Sequence, residues 1–118
     1  EYVEGMWRIL QRDQPDDFVL ATNETHTVRE FTEAAFSETG IDLEWEGEGT
    51  EETGIDRKSG AVRVRVDPGY FRPAEVDLLI GDPAKAREHL GWAPQTTFRD
   101  LVRIMAHADY EKVAQRGF

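Results

Sequence analysis

Apolar positions recur along this chain in two rhythms. In EYVEGMWRILQ, Val3, Met6, Trp7 and Leu10 fall at helical spacing and predict a helix ending before Pro15. Asp16 to Thr22 (DDFVLAT) reads as a short buried strand, and Asn23 to His26 as a turn. Thr27-Val28-Arg29-Glu30 has the pattern of a capping box, in which the Thr27 hydroxyl accepts the Glu30 amide and the Glu30 carboxylate reaches back. Val28, Phe31 and Ala35 then share a helical face, and Gly40 suits the position just past the helix end.

The rhythm then changes to two. Ile41, Leu43 and Trp45 alternate with acids, and Val62, Val64 and Val66 alternate with Arg63 and Arg65. These runs predict a half-exposed antiparallel pair with the arginines opposite Glu44 and Glu46. Between them, Gly47 to Gly60 reads as a polar, glycine-punctuated loop. Leu78 to Gly81 is a further short apolar strand, and Asp82-Pro83 starts a helix with Asp at the N-cap and Pro at N1, the first helical position. That helix closes at Leu90 before Gly91, and Trp92 and Pro94 make a rigid connector. Thr97 caps the last helix, where Phe98, Leu101, Met105 and Ala108 form one stripe that Val102 widens. The expected fold is a mixed α/β (α+β) lobe of about four helices and four short strands, one domain over residues 1–118, with a single clear strand–helix–strand crossover. Because Glu1 already reads as helix interior without an N-cap before Tyr2, the chain is expected to be a fragment of something longer.

Charge narrows the partners. Charged residues make up 32% of the sequence and the formal net charge is −10, which sets nucleic acid and anionic membrane surfaces aside because phosphate is repelled. Three Trp, three Tyr and six Phe supply core anchors and argue against disorder. Trp7, Trp45 and Trp92 are all expected to serve in that way. With no cysteine there is no disulfide and no thiolate metal site, which is compatible with the cytoplasm. No long apolar run suggests a membrane span.

The candidate chemistry gathers in GYFRPAEVD, residues 69–77. Pro73 biases Arg72 toward an extended backbone, and a guanidinium offers a planar fork that matches phosphate oxygens. Glu75, three residues on, has the chemistry to accept from sugar hydroxyls. The residues alone leave two readings open: a grip on a phosphorylated sugar or nucleotide, and a local Arg72–Glu75 ion pair on a turn. Elsewhere, Lys58-Ser59-Gly60 has the wrong order for a phosphate loop, and the acidic run Glu44 to Glu52 lacks a calcium-loop pattern. His26, His89 and His107 stand singly, as surface or capping residues, so no metal site is expected. No GxGxxG turn, no nucleophile elbow and no Tyr followed by Lys four residues later is present, so no catalytic residue is expected in this chain.

Several stretches together resemble one family. EYVEGMW, DDFVLAT, THTVREF, LEWEGEG and VDPGYFRPAEVDLLIGDPAKAREHLGW are similar to the C-terminal portion of the GDP-mannose 4,6-dehydratase family. DPAKAREHLGWAP is generic to the extended short-chain dehydrogenase/reductase superfamily, whereas YFRPAEVD and THTVREF are specific. The resemblance implies an NADP-binding Rossmann domain in the N-terminal part, a smaller lobe that binds GDP-mannose, and conversion to GDP-4-keto-6-deoxymannose by oxidation, dehydration and reduction. Its catalytic Ser/Thr, Glu and Tyr-Lys match nothing here, so the chain alone is expected to be inactive. Its RPxEV motif implies that Arg72 contacts the diphosphate and Glu75 the guanosine ribose. It also implies a homo-oligomer at full length and a cytoplasmic enzyme. Asn23 stands where the family turn often has glycine, both of which tolerate a left-handed backbone. Phe71 stands for a frequent tyrosine. Two other readings remain: a reductase or epimerase of the same superfamily, and an acidic interaction module without sugar chemistry.

Overall fold

The computed structural model describes residues 1–72 and 79–117. It divides into two units, one comprising Glu1–His26 with Val76–Thr97 and the other Thr27–Glu75 with Phe98–Phe118.

In the first unit, α1 (Tyr2–Leu10) lies along α3 (Ala84–Leu90). Gly5 of α1 packs closely on Leu20 and Trp92: a Cβ there would come within 2.7 Å of Leu20 Cδ1 and 3.0 Å of Trp92 Nε1. Trp92 is 2% exposed; its indole donates to the Glu1 carbonyl at 2.9 Å and its ring meets Tyr2 at 5.5 Å. α3 begins with the Asp82 carboxylate accepting the Ala84 amide at 2.8 Å, with Pro83 at the N-cap. It ends at Gly91, whose φ of +60° is left-handed. The Glu1 carboxylate accepts the amides of Gln95 and Thr96 and holds the connector that follows.

Two expected strands of this unit, Asp16 to Thr22 and Leu78 to Gly81, are not assigned as strands among the described residues; Leu78 lies outside the described residues. A Cβ on Gly81 would sit 2.7 Å from Ala21 Cβ and 3.2 Å from Val19 Cγ1. The two segments thus approach through side chains, with Thr25 Oγ1 donating to the Leu79 carbonyl at 3.1 Å. Among the described residues the expected strand–helix–strand crossover is therefore not seen. Asn23 has a φ of +59°, the left-handed backbone expected of that turn.

In the second unit, α2 (Val28–Glu38) opens with the expected capping box: Thr27 Oγ1 accepts Glu30 N–H at 3.0 Å, and the Glu30 carboxylate accepts Thr27 N–H at 2.6 Å. It closes as a Schellman turn, with Gly40 N–H to the Ser37 carbonyl and Ile41 N–H to the Phe36 carbonyl. α2 packs on α4 (Phe98–Arg116), where Phe31 meets Phe98 edge-on at 6.4 Å and His107 Nε2 lies 3.0 Å from Glu38. The buried stripe of α4 is rotated from the expected one. Val102 is 1% exposed and Ala106 half-buried, whereas Leu101 and Met105 are exposed, because α2 covers the face through Phe98 and Val102. Val28, in the first turn of α2, also stands exposed.

The sheet corrects the expected pairing. β1 (Leu43–Glu46) and β3 (Val62–Arg65) do not touch as a ladder; β2 (Thr53–Asp56) lies between them, antiparallel to both. The middle of the supposed loop, Thr53–Asp56, is therefore the central strand, linked to β1 by a 3₁₀ turn at Gly49–Glu51. Glu46 faces Thr53, and Thr53 also faces Arg65, so the glutamates and arginines are not opposite one another. Gly54 is buried directly across from Trp45, whose ring covers it. Trp45 is held on its other side by Arg29 at 4.6 Å from the ring, and its Nε1 donates to Glu33 at 2.7 Å. Arg29 in turn pairs with Glu52.

Candidate functional site

The residue singled out for anion chemistry, Arg72, stands at the end of a turn launched by β3. Asp67 organises that turn. Its carboxylate accepts Gly69 N–H at 2.8 Å, and its carbonyl accepts Tyr70 N–H at 3.0 Å and Phe71 N–H at 3.1 Å. One residue thus fixes the backbone up to the residue before Arg72. The same bonds occupy the amides of residues 69–71, so those N–H groups are not offered to an anion. Arg72 itself is exposed. The two aromatics that precede it in sequence are also exposed, Tyr70 by 86% and Phe71 by 44%. Glu75 lies outside the described residues.

The sheet beneath this turn is pinned by a buried carboxylate that sequence reasoning passed over. Asp56, 5% exposed, accepts the Ser59 hydroxyl at 2.5 Å and the Lys58 amide at 2.9 Å, and Arg63 approaches it to 3.6 Å. The Ser59 hydroxyl and the Lys58 amide hold this carboxyl below the usual aspartate range, against the opposing effect of burial. Ser59 therefore ties the hairpin between β2 and β3. Its signal was the spacing D-x-x-S-G between two strands, legible only once β2 is known to be a strand.

A groove of about 710 Å³ in the first unit is lined by Trp7, Arg8, Gln11, Arg12, His89 and Leu90, among others. Its arginines act on the backbone. Arg8 Nη1 donates to the carbonyls of Leu90 and Gly91 at 3.0 and 2.7 Å, and Arg12 Nη1 to that of His89 at 3.1 Å. They close the carbonyl end of α3, whose dipole disfavours an anion at that end. Among the described residues no group of three or more His, Asp or Glu side chains could hold a metal ion. His26 lies 3.3 Å from Glu24, and His89 and His107 are likewise surface residues. No described helix is long and apolar enough to cross a membrane. Trp92 and the half-buried Trp45 are packed as expected, but Trp7 is 60% exposed.

Four helices and a three-stranded antiparallel sheet among the described residues define a small mixed α/β portion of a larger family fold. A family model described as GDP-mannose 4,6 dehydratase matches residues 1–105. The chain belongs to the GDP-mannose 4,6-dehydratase family. It is 57% identical over 92% of its length to the GDP-mannose 4,6-dehydratase of Sinorhizobium fredii, 53% over 94% to the GDP-mannose 4,6 dehydratase of Drosophila melanogaster, and 50% over 94% to that of Homo sapiens. It spans 31%, 28% and 30% of those proteins' lengths, respectively.

Proposed function

We propose that these 118 residues are the C-terminal, substrate-binding portion of an enzyme that removes water from GDP-mannose to give GDP-4-keto-6-deoxymannose. The observation that supports this most is the family match over residues 1–105, which spans the turn carrying Arg72. In this reading Arg72 grips the diphosphate bidentately and Glu75 accepts from the guanosine ribose. Their task is positioning: nucleotide binding energy fixes the hexose in a reactive orientation supplied by the rest of the enzyme. Catalytic groups belong to the remainder of the polypeptide.

NADP belongs there too. The sequence has no glycine-rich turn between a strand and a helix, so its residues do not fit a dinucleotide, and no step is assigned to them through it. The whole enzyme is placed in the cytoplasm as a homo-oligomer, with this portion seated against an N-terminal Rossmann domain.

The test is product analysis. Full-length protein incubated with GDP-mannose and NADP should yield a nucleotide sugar lighter by one water and carrying a ketone. Recovery of an isomer of the same mass points to an epimerase, and no turnover of any nucleotide sugar points to a binding module; either result contradicts the proposal.

A further inference from the structure

Asp67 stands where charge alone argues against an acid. It is exposed, it belongs to the turn that leads to Arg72, and the chain already carries a net charge of −10. A carboxylate there works against any anion that the arginine is to hold. The bond its side chain makes is to the backbone: Oδ1 accepts Gly69 N–H at 2.8 Å. An uncharged amide oxygen could accept the same N–H.

The main chain of Asp67 works in the same direction. Its carbonyl accepts Tyr70 N–H at 3.0 Å and Phe71 N–H at 3.1 Å. Pro68 follows it, and the fixed φ of proline suits the second position of such a turn. Side chain and carbonyl together tie down three successive amides, those of Gly69, Tyr70 and Phe71. On the other side, Pro73 follows Arg72 in the sequence and biases it toward an extended backbone. The arginine is thus constrained from both directions, and a group ordered in advance loses less freedom when a ligand arrives.

We propose that Asp67 is a positioning residue for the diphosphate grip. Its bond to Gly69 holds the turn that presents Arg72, and its charge takes no part. This rests on the reading that Arg72 contacts the diphosphate.

Calorimetric titration of the full-length enzyme and its variants with GDP tests the proposal. Asp67→Ala keeps the two carbonyl bonds and loses the bond to Gly69, so GDP should bind about fivefold more weakly, the worth of one hydrogen bond. Asp67→Asn keeps the acceptor and loses the charge, so it should bind GDP at least as tightly as the parent. On an Arg72→Ala background Asp67→Ala should cost nothing further, because the group it positions is gone. Asp67→Asn as weak as Asp67→Ala overturns the proposal, since the charge is then what matters. An undiminished loss on the Arg72→Ala background also overturns it, since Asp67 then acts through something other than Arg72. The two readings fail differently. If Arg72→Ala weakens GDP binding and Asp67→Ala does not, Asp67 loses its role and the diphosphate assignment stands. If neither variant weakens it, the assignment itself falls and the inference falls with it.

Discussion

Replacing Gly54 by alanine probes the sheet that carries Arg72. An added Cβ would lie 3.1 Å from Val64 Cβ and 3.2 Å from Trp45 Cζ3, tighter than ordinary contact. Neither neighbour yields easily. Val64 Cβ is fixed to the backbone of β3, and Trp45 is held between its bond to Glu33 and the Arg29 guanidinium. Overpacking of this kind costs roughly 1–3 kcal/mol. Alanine returns about 0.4–1 kcal/mol by restricting the unfolded chain. The net expectation is a loss of roughly 1–2 kcal/mol, read as a lower urea midpoint with an unchanged slope. The cause is checked by a double-mutant cycle. Trp45→Leu removes one wall, so Gly54→Ala on that background should cost less, with a coupling of about 0.5–2 kcal/mol. Because β3 leads into the Asp67 turn, Gly54→Ala should also weaken GDP-mannose binding in the full-length enzyme. A variant as stable as the parent, or the same cost with and without Trp45, refutes the packing described here.

Other perturbations have definite signs. Thr27→Ala removes the capping box of α2 and should cost about 1 kcal/mol in urea unfolding. Asp56 has a lowered carboxyl pKa, so its stabilisation is present above the unfolded aspartate value near 4 and lost as pH falls through the folded value. Asp56→Asn should therefore lower stability at pH 7 and flatten its fall below about pH 4, read by urea midpoints across pH. Trp92→Ala empties the core of the first unit and should cost about 3–5 kcal/mol by the same assay.

Local signals were the legible part of this fold. The capping box at Thr27, the stop at Gly40 and the Gly91 stop all rest on bonds within a few residues, and each is present, whereas the Asp82-Pro83 start falls one residue later than expected, with Pro83 at the N-cap. β2 was hidden because its four residues, Thr53-Gly54-Ile55-Asp56, lack an apolar alternation. Gly54 is buried to seat the Trp45 ring and Asp56 to tie the hairpin, and both facts depend on partners elsewhere in the unit. The exposure of Trp7 was hidden for a related reason: helical spacing identifies an apolar face but not what covers it. Near the candidate site, the role of Asp67 in fixing residues 69–71 was not legible, because it rests on backbone bonds that no residue pattern announces.

Calorimetric titration of the full-length enzyme and its Arg72→Ala variant with GDP-mannose and with GDP tests the central claim most directly. A charge-assisted contact to the diphosphate is worth roughly 1.5–3 kcal/mol, so both ligands should bind about 10- to 150-fold more weakly. Arg72→Lys, which keeps the charge and loses the planar fork, should fall between. Unchanged affinity for both ligands in the folded Arg72→Ala protein would contradict the assignment of this turn to the nucleotide.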